Sequence, residues 1–183
     1  MQKIIIASDI HGSARWCDAL LQIFHRENAD KLILLGDLLY HGPRNPLPEG
    51  YDPKRVFASL NGVKEKILAV RGNCDSEVDQ MVLEFPCLAD YALFTHHGKT
   101  VFVTHGHLFN AENPPLLKTG DILLNGHFHD PCFKLLPNGA WYINDGSVAL
   151  PKAGTPHACV LLDENALSWI NLATGEVFEK LPL

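Results

Sequence analysis

Leu32-Ile33-Leu34-Leu35-Gly36-Asp37-Leu38-Leu39-Tyr40-His41-Gly42 sets the architecture of this 183-residue chain. An apolar run stopped by Gly reads as a strand buried on both faces, and Gly36 lets the chain turn sharply where the Asp37 carboxylate emerges. The same shape recurs four times. Ile4 to Ala7 leads into Ser8-Asp9-Ile10-His11, and Ile67 to Val70 into Arg71-Gly72-Asn73-Cys74-Asp75. Val101 to Val103 leads into Thr104-His105-Gly106-His107, and Ile122 to Leu124 into Asn125-Gly126-His127-Phe128-His129. Five strand-like runs thus end in side chains able to hold a metal, and Asp37 is the residue least open to substitution.

Working outward, Ser13 is placed to cap a helix whose Trp16, Ala19, Leu20, Ile23 and Phe24 repeat at the spacing of one helical face. Strand, helix and strand over Ile4 to Leu35 form a βαβ unit, which puts the first two motifs at the same edge of a parallel sheet. Pro43 to Pro53 holds four prolines and is read as a surface loop beside Asp37, making Arg44 and Asn45 candidate substrate contacts. Helices are expected from Pro53 to Asn61 and from Asp75 to Leu83. Strands follow at Tyr91 to Thr95, Thr100 to His105, Asp121 to Asn125, Cys132 to Leu136, Trp141 to Ile143, Ala158 to Leu162, Leu167 to Leu172 and Glu176 to Leu181. A first half of βαβ units and a second half read as antiparallel strands both carry motifs, so the sheets should face each other with helices outside, as an α/β sandwich within one domain, 1–183.

Apolar residues at 46% and charged residues at 20% fit an ordinary globular protein. A net charge of -6 argues against a stable nucleic-acid partner, which would need a basic face, but leaves room for a small anionic substrate. Five scattered cysteines, with no C-x-x-C pair, suit reduced thiols. With no signal-peptide pattern and no run long enough to span a bilayer, a cytoplasmic protein without a membrane partner is expected. A homo-oligomer stays open.

The ligand-type residues at the strand ends are Asp9, His11, Asp37, Asn73, His105, His127 and His129, with His107 nearby. Carboxylate and imidazole together suit Mn, Fe, Zn or Ni better than Ca or Mg. Seven ligands exceed one tetrahedral site and suit two divalent ions sharing a carboxylate, about 3.5 to 4 Å apart, as in phosphoryl-transfer centres. Two such ions outweigh two aspartates, so the centre would attract a phosphate ester although the chain is acidic. Isolated histidines such as His25 and His157 are read as ordinary surface or core side chains.

The ordered set Asp-x-His, Gly-Asp, Gly-Asn-x-Asp, His-Gly-x and Gly-His-x-His, spanning residues 9 to 129, resembles the calcineurin-like metallophosphoesterase superfamily. Within it, Gly36-Asp37 with His41-Gly42-Pro43-Arg44-Asn45, Arg71 to Asp75 and Thr104 to His107 are similar to the small bacterial YfcE-type phosphodiesterases. The resemblance implies a four-layer αββα sandwich, two facing mixed β-sheets flanked by helices. It implies one metal held by Asp9, His11, Asp37 and His129, and another by Asp37, Asn73, His105 and His127, with Asp37 bridging. It further implies in-line attack on phosphorus by a metal-bridging water or hydroxide, a small phosphodiester substrate, and activity with Mn.

Three positions depart from the family pattern. Cys74 stands where most members have a His that contacts phosphate or assists the leaving group, and a thiol is a weak, uncharged donor. His107 or His41 then become candidate acids; otherwise only esters with good leaving groups are handled. Phe128 replaces Thr between His127 and His129, and Asp145 replaces Pro in Asn144-Asp145-Gly146-Ser147, which should alter packing around the ligands. The competing functions are a phosphomonoesterase, disfavoured by the missing His, and a non-catalytic interaction module on the same fold, disfavoured by the intact ligand positions.

Overall fold

The computed structural model describes residues 2–152 and 154–183. Its elements in chain order are β1 (Ile4–Ala7), α1 (Ala14–Arg26), β2 (Lys31–Leu34), α2 (Pro53–Asn61), β3 (Ile67–Ala69), α3 (Glu77–Gln80), β4 (Tyr91–His96), β5 (Lys99–Thr104), β6 (Ile122–Asn125), β7 (Cys132–Leu135), β8 (Trp141–Asn144), β9 (Ala158–Leu162), β10 (Ala166–Asn171) and β11 (Val177–Pro182). They form a six-stranded sheet in the order β11-β10-β9-β1-β2-β3 and a five-stranded sheet in the order β4-β5-β6-β8-β7. Both are mixed, as the family resemblance implies.

Strand alternation builds the layers. Ile5 and Ala7 of β1, with Leu32 and Leu34 of β2, join a core completed by Trp16, Cys17, Leu20, Ile23 and Phe24 of α1 and Val56 and Leu60 of α2. Ile4, Ile6 and Ile33 point the other way, onto Val101, Val103, Ile122, Leu124 and Ile143 of the second sheet. Trp169 on β10 is fully buried there and donates Nε1–H to the carbonyl of Asn144 on β8 at 2.9 Å, tying the two sheets together. The outer face of the five-stranded sheet packs Phe102, Leu123 and Tyr142 under Phe109, Ala111 and Leu117 of the irregular segment between β5 and β6. The helices α1 and α2 lie on the six-stranded side.

The helix caps are those the sequence advertises. Ser13 Oγ accepts the N–H of Trp16 at 3.3 Å, and Asp52 accepts that of Arg55 at 3.1 Å ahead of Pro53 at the first helical turn.

Two expectations need correction. The second half is not simply antiparallel: β5 pairs parallel with β6, and β6 parallel with β8. The long segments between these strands carry the chain back to the start of the sheet, so three strands deliver their C-terminal ends to one edge. The helix expected over Asp75 to Leu83 shortens to Glu77–Gln80, because the Asp75 side chain is engaged with the loop after β2 and Ser76 makes the capping box with Asp79.

Candidate metal centre

The loops after β1, β2 and β3 are stitched together by backbone hydrogen bonds that continue past the strands. Asp9 N–H donates to Gly36 O at 3.0 Å, His11 N–H to Asp37 O at 2.9 Å, and Gly12 N–H to Leu38 O at 2.9 Å. From the other sheet, Gly126 N–H donates to His105 O at 2.8 Å, and the two sheets' loops join where Val148 and Ala149 donate to the carbonyls of Ser8 and Asp9. The approach is close enough that a Cβ on Gly72 would strike Asp37 Oδ1, and one on Gly36, at φ +96°, would strike the Gly72 backbone.

Among the described residues, seven non-glycine residues have left-handed backbone, and five are motif residues: Asp9 at φ 57°, His11 at 47°, Asp37 at 56°, His127 at 65° and His129 at 60°. Such residues cost of order 1–3 kcal/mol each. They persist because the interloop bonds leave the backbone no alternative, and the twist turns alternate side chains into one centre.

At that centre, Asp9 Oδ1 lies 3.0 Å from His129 Nε2 and 3.4 Å from His11 Nε2. Asp37 Oδ2 lies 3.7 Å from His11 Nε2 and 3.5 Å from His105 Nε2. His105 Nε2 is also 3.1 Å from Asn73 Oδ1 and 3.2 Å from His127 Nδ1. Asp37 therefore faces two groups at once, Asp9 with His11 and His129 on one side, and Asn73, His105 and His127 on the other.

The imidazoles are aimed from behind. His11 Nδ1–H donates to Tyr40 O at 2.8 Å, His105 Nδ1–H to Leu35 O at 2.8 Å, and His129 Nδ1–H to Leu150 O at 2.6 Å. A carbonyl only accepts, so the neutral rings carry the proton on Nδ1 and present the Nε2 lone pair inward, the arrangement of metal-ligating histidines.

These donors fit divalent ions. Asp9 Oδ1 and His11 Nε2 are fully enclosed and face each other without hydrogen-bond geometry to any partner, which is costly unless something else is held there. Separations near 3 Å are those of neighbouring ligands on one ion at bonds of about 2.1 Å. Asp9, His11 and His129 converge as one compact group, and Asp9, Asp37 and His105 as another.

The charges respond as a carboxylate–imidazole cluster should. Burial works against the Asp9 charge, but His11, His129 and the charge of His105 outweigh it and hold Asp9 well below the usual carboxylate range. Asp37 is likewise lowered, burial being overcome by His105 and the Cys74 N–H. For His105, burial is outweighed by Asp37 and Asp9, and its pKa rises to about 9. Burial and the neighbouring His105 charge push His127 down to about 4. Proton and metal ion compete for the same inward-facing atoms.

A cleft of about 400 Å³ opens above the centre, lined by Asp37, Asn73, His127 and His129 on its floor and by Arg44, Asn45, Cys74 and Lys152 around it. The Asn45 amide is turned away to the His41 carbonyl at 2.8 Å. His41 and His107 do not line this cleft: His41 packs edge-on against Tyr40 and Tyr51, and His107 lines a neighbouring one. Burial, then the Asp37 charge, pushes the Cys74 thiol up to about 12, while burial and His105 lower His107.

Three residues with no role assigned from the sequence support the centre. Asp75 accepts N–H groups of Asp37 at 2.8 Å, Leu38 at 2.9 Å and Gly72 at 2.7 Å. Ser8 Oγ lies 2.6 Å from Asp9 Oδ2 and 2.8 Å from Asp145 Oδ1. One hydroxyl has one proton, so one of these carboxyls must be the donor. It is Asp145, whose pKa full burial and the Asp9 charge raise well above the usual range. Lys152 adds a cation beside Arg44; its only sequence signal is a lysine after Pro151.

A family model described as the calcineurin-like phosphoesterase superfamily domain matches residues 2–166. The chain belongs to this superfamily. Among its relatives, the phosphodiesterase YfcE of Escherichia coli K12 is 47% identical over 183 residues, covering 100% of this chain and 99% of that protein. A solved structure of YfcE, described as a phosphoesterase from E. coli, superposes with a TM-score of 0.94 at 44% identity over 98% of both chains. Two more distant structures share the fold: an archaeal phosphodiesterase, at TM-score 0.63 and 22% identity over all of both chains, and Vps29 of Entamoeba histolytica complexed with zinc, at 0.61 and 16% over 99% of both. The phosphoesterase fold explains why five strand ends meet: its two sheets abut at the edge where β1, β2, β3, β5 and β6 end.

Proposed function

We propose that this phosphoesterase hydrolyses phosphodiesters at a centre of two divalent ions that share Asp37. The observation carrying this reading is the position of Asp37 Oδ2 between two sets of inward-facing donors, 3.7 Å from His11 and 3.5 Å from His105, on the floor of a cleft rimmed by Arg44 and Lys152. Asp9, His11, Asp37 and His129 would hold one ion, and Asp37, Asn73, His105 and His127 the other. When bound, such a pair supplies a nucleophile from water at neutral pH and neutralises charge on the attacking and leaving oxygens of an in-line displacement. Mn is the ion this reading assigns.

The protein's own groups do the rest. Arg44 and Lys152 draw the anionic ester into the cleft and orient it. Cys74 lies at the cleft wall with a thiol held up to about 12, and His107 is shifted toward its neutral form. The thiol is not matched to proton donation near pH 7, and His107 lines the neighbouring cleft rather than the one over the centre, so the reading favours esters whose leaving group departs without a proton. The E. coli relative's description as a phosphodiesterase agrees with a diester substrate. Among the described residues all five cysteines are free, which supports a reducing cytoplasm as the compartment, and no described helix is long and apolar enough to cross a membrane. Hydrolysis of bis-p-nitrophenyl phosphate by the Mn-reconstituted chain, and its loss in Asp37→Asn, tests the reading.

A further inference from the structure

Two clefts meet at Phe128. Beyond the cleft over the metal centre lies a second, also of about 400 Å³, walled by His107, Asn110, Glu112, Lys134 and Tyr142. Phe128 and His127 line both. Phe128 is 43% exposed and belongs to none of the three apolar cores. Its aromatic contact is the His127 imidazole, edge-on at 5.1 Å between centroids and 74° between planes. An apolar ring held in water beside a polar centre has no folding role that burial would reward.

Charge sorts the two clefts. Arg44 and Lys152 make the first suited to anionic groups, whereas Glu112 and Asp130 in the second repel them. The second cleft does offer an acceptor and a donor: the exposed Glu112 carboxylate, and the Lys134 ammonium 5.3 Å over the Tyr142 ring. Its wall is stiffened by Asn110, which donates to Gly106 O at 3.0 Å and accepts the N–H groups of Glu112 and Asn113. A neutral, planar group with hydrogen-bonding edges matches these features.

We propose that the second cleft is a subsite for a nucleobase-type substituent of the diester, stacked on Phe128 and read at its edge by Glu112 and Lys134. The inference rests on the phosphodiesterase reading for the position of phosphorus. It makes nucleotide-derived diesters the substrate class. Stacking of a base on an aromatic side chain is worth enough to change affinity about tenfold.

The test is calorimetric titration of the full Mn-loaded chain with adenosine 5′-monophosphate and with ribose 5-phosphate, which keeps the sugar and phosphate and has a hydroxyl in place of the base. Wild type and Phe128→Tyr should bind the nucleotide about tenfold more tightly than the sugar phosphate, and Phe128→Leu should bring the ratio close to one. Equal affinities in the wild type overturn the proposal whatever the variants do, as does an undiminished ratio in a folded Phe128→Leu. Hydrolysis of bis-p-nitrophenyl phosphate by the same samples is scored separately. Hydrolysis without the ratio sinks the subsite and leaves the phosphodiesterase reading standing; the ratio without hydrolysis does the reverse.

Discussion

The carboxylate of Asp75 holds the backbone of Asp37: Oδ2 accepts the Asp37 N–H at 2.8 Å and the Gly72 N–H at 2.7 Å, while Oδ1 accepts that of Leu38 at 2.9 Å. One buried side chain thereby locks the loop after β2 to the loop after β3. Three donors on two acceptor atoms leave no room for an amide. In Asp75→Asn, the new NH₂ faces at least one N–H, and a buried donor left unpaired costs about 1–3 kcal/mol. Urea denaturation should show a loss of that size, and Mn titration a tenfold or greater loss of affinity, the usual effect of removing a group that orients a ligand.

The proton shared around Ser8 gives a second prediction. Asp145 is buried with its pKa raised, so the unfolded chain binds fewer protons than the native one, and its contribution to stability falls as pH rises above the unfolded value. Asp145→Asn removes that penalty and keeps a donor to Ser8 Oγ. Its stability relative to wild type should rise with pH between 4 and 8. Ser8→Ala leaves Asp145 without its side-chain partner, while Asp9 Oδ2 keeps the His127 N–H at 3.0 Å, and should cost about 1–3 kcal/mol. Denaturant midpoints across that range check both signs.

Above pH 6.5 the metal-stripped protein should lose stability as pH rises. On the acid side contributions oppose one another: His127, lowered to about 4, and the depressed Asp9 and Asp37 add stability as pH rises, whereas Asp75, raised to about 6, and Asp145 lose it. His105, raised to about 9, adds stability that is full below the unfolded value of 6.5 and is lost as pH rises through 9. Thermal midpoints of the stripped chain from pH 6.5 to 10 should trace this fall. Saturating Mn should flatten it, since an ion held by His105 would compete with that proton.

Cys74 governs the leaving group in this account. The wild type should show a steep fall in rate as the leaving-group pKa rises across a series of aryl and alkyl esters. Cys74→His places an imidazole at the cleft wall, and general acid catalysis is worth roughly 10²-fold or more. The variant should gain on the poor leaving groups while keeping its metal, so that the slope of rate against leaving-group pKa flattens. An unchanged slope would show that position 74 has no part in proton transfer.

Much of this site is legible before any coordinates, because its ligands sit at the ends of apolar runs and the fold brings those ends to one edge. Asp9, His11, Asp37, Asn73, His105, His127 and His129 all come within the one centre. Their support is harder to read. Asp75 acts on backbone N–H groups contributed by residues 37, 38 and 72, and Ser8 joins two carboxyls 136 positions apart, at 9 and 145. Such partners have no local pattern. The parallel pairing of β5, β6 and β8 was hidden for a related reason: the hairpin signal at His97-Gly98 is local, whereas the crossovers that follow have no helix to announce them.

The shared position of Asp37 is tested most directly by metal analysis of the stripped chain after reconstitution with Mn, alongside hydrolysis of bis-p-nitrophenyl phosphate and p-nitrophenyl phosphate. A shared Asp37 requires about two ions per chain, faster cleavage of the diester than of the monoester, and loss of both the second ion and the activity in Asp37→Asn. Fewer than about one bound ion in the wild type, or unchanged turnover in Asp37→Asn, would contradict it.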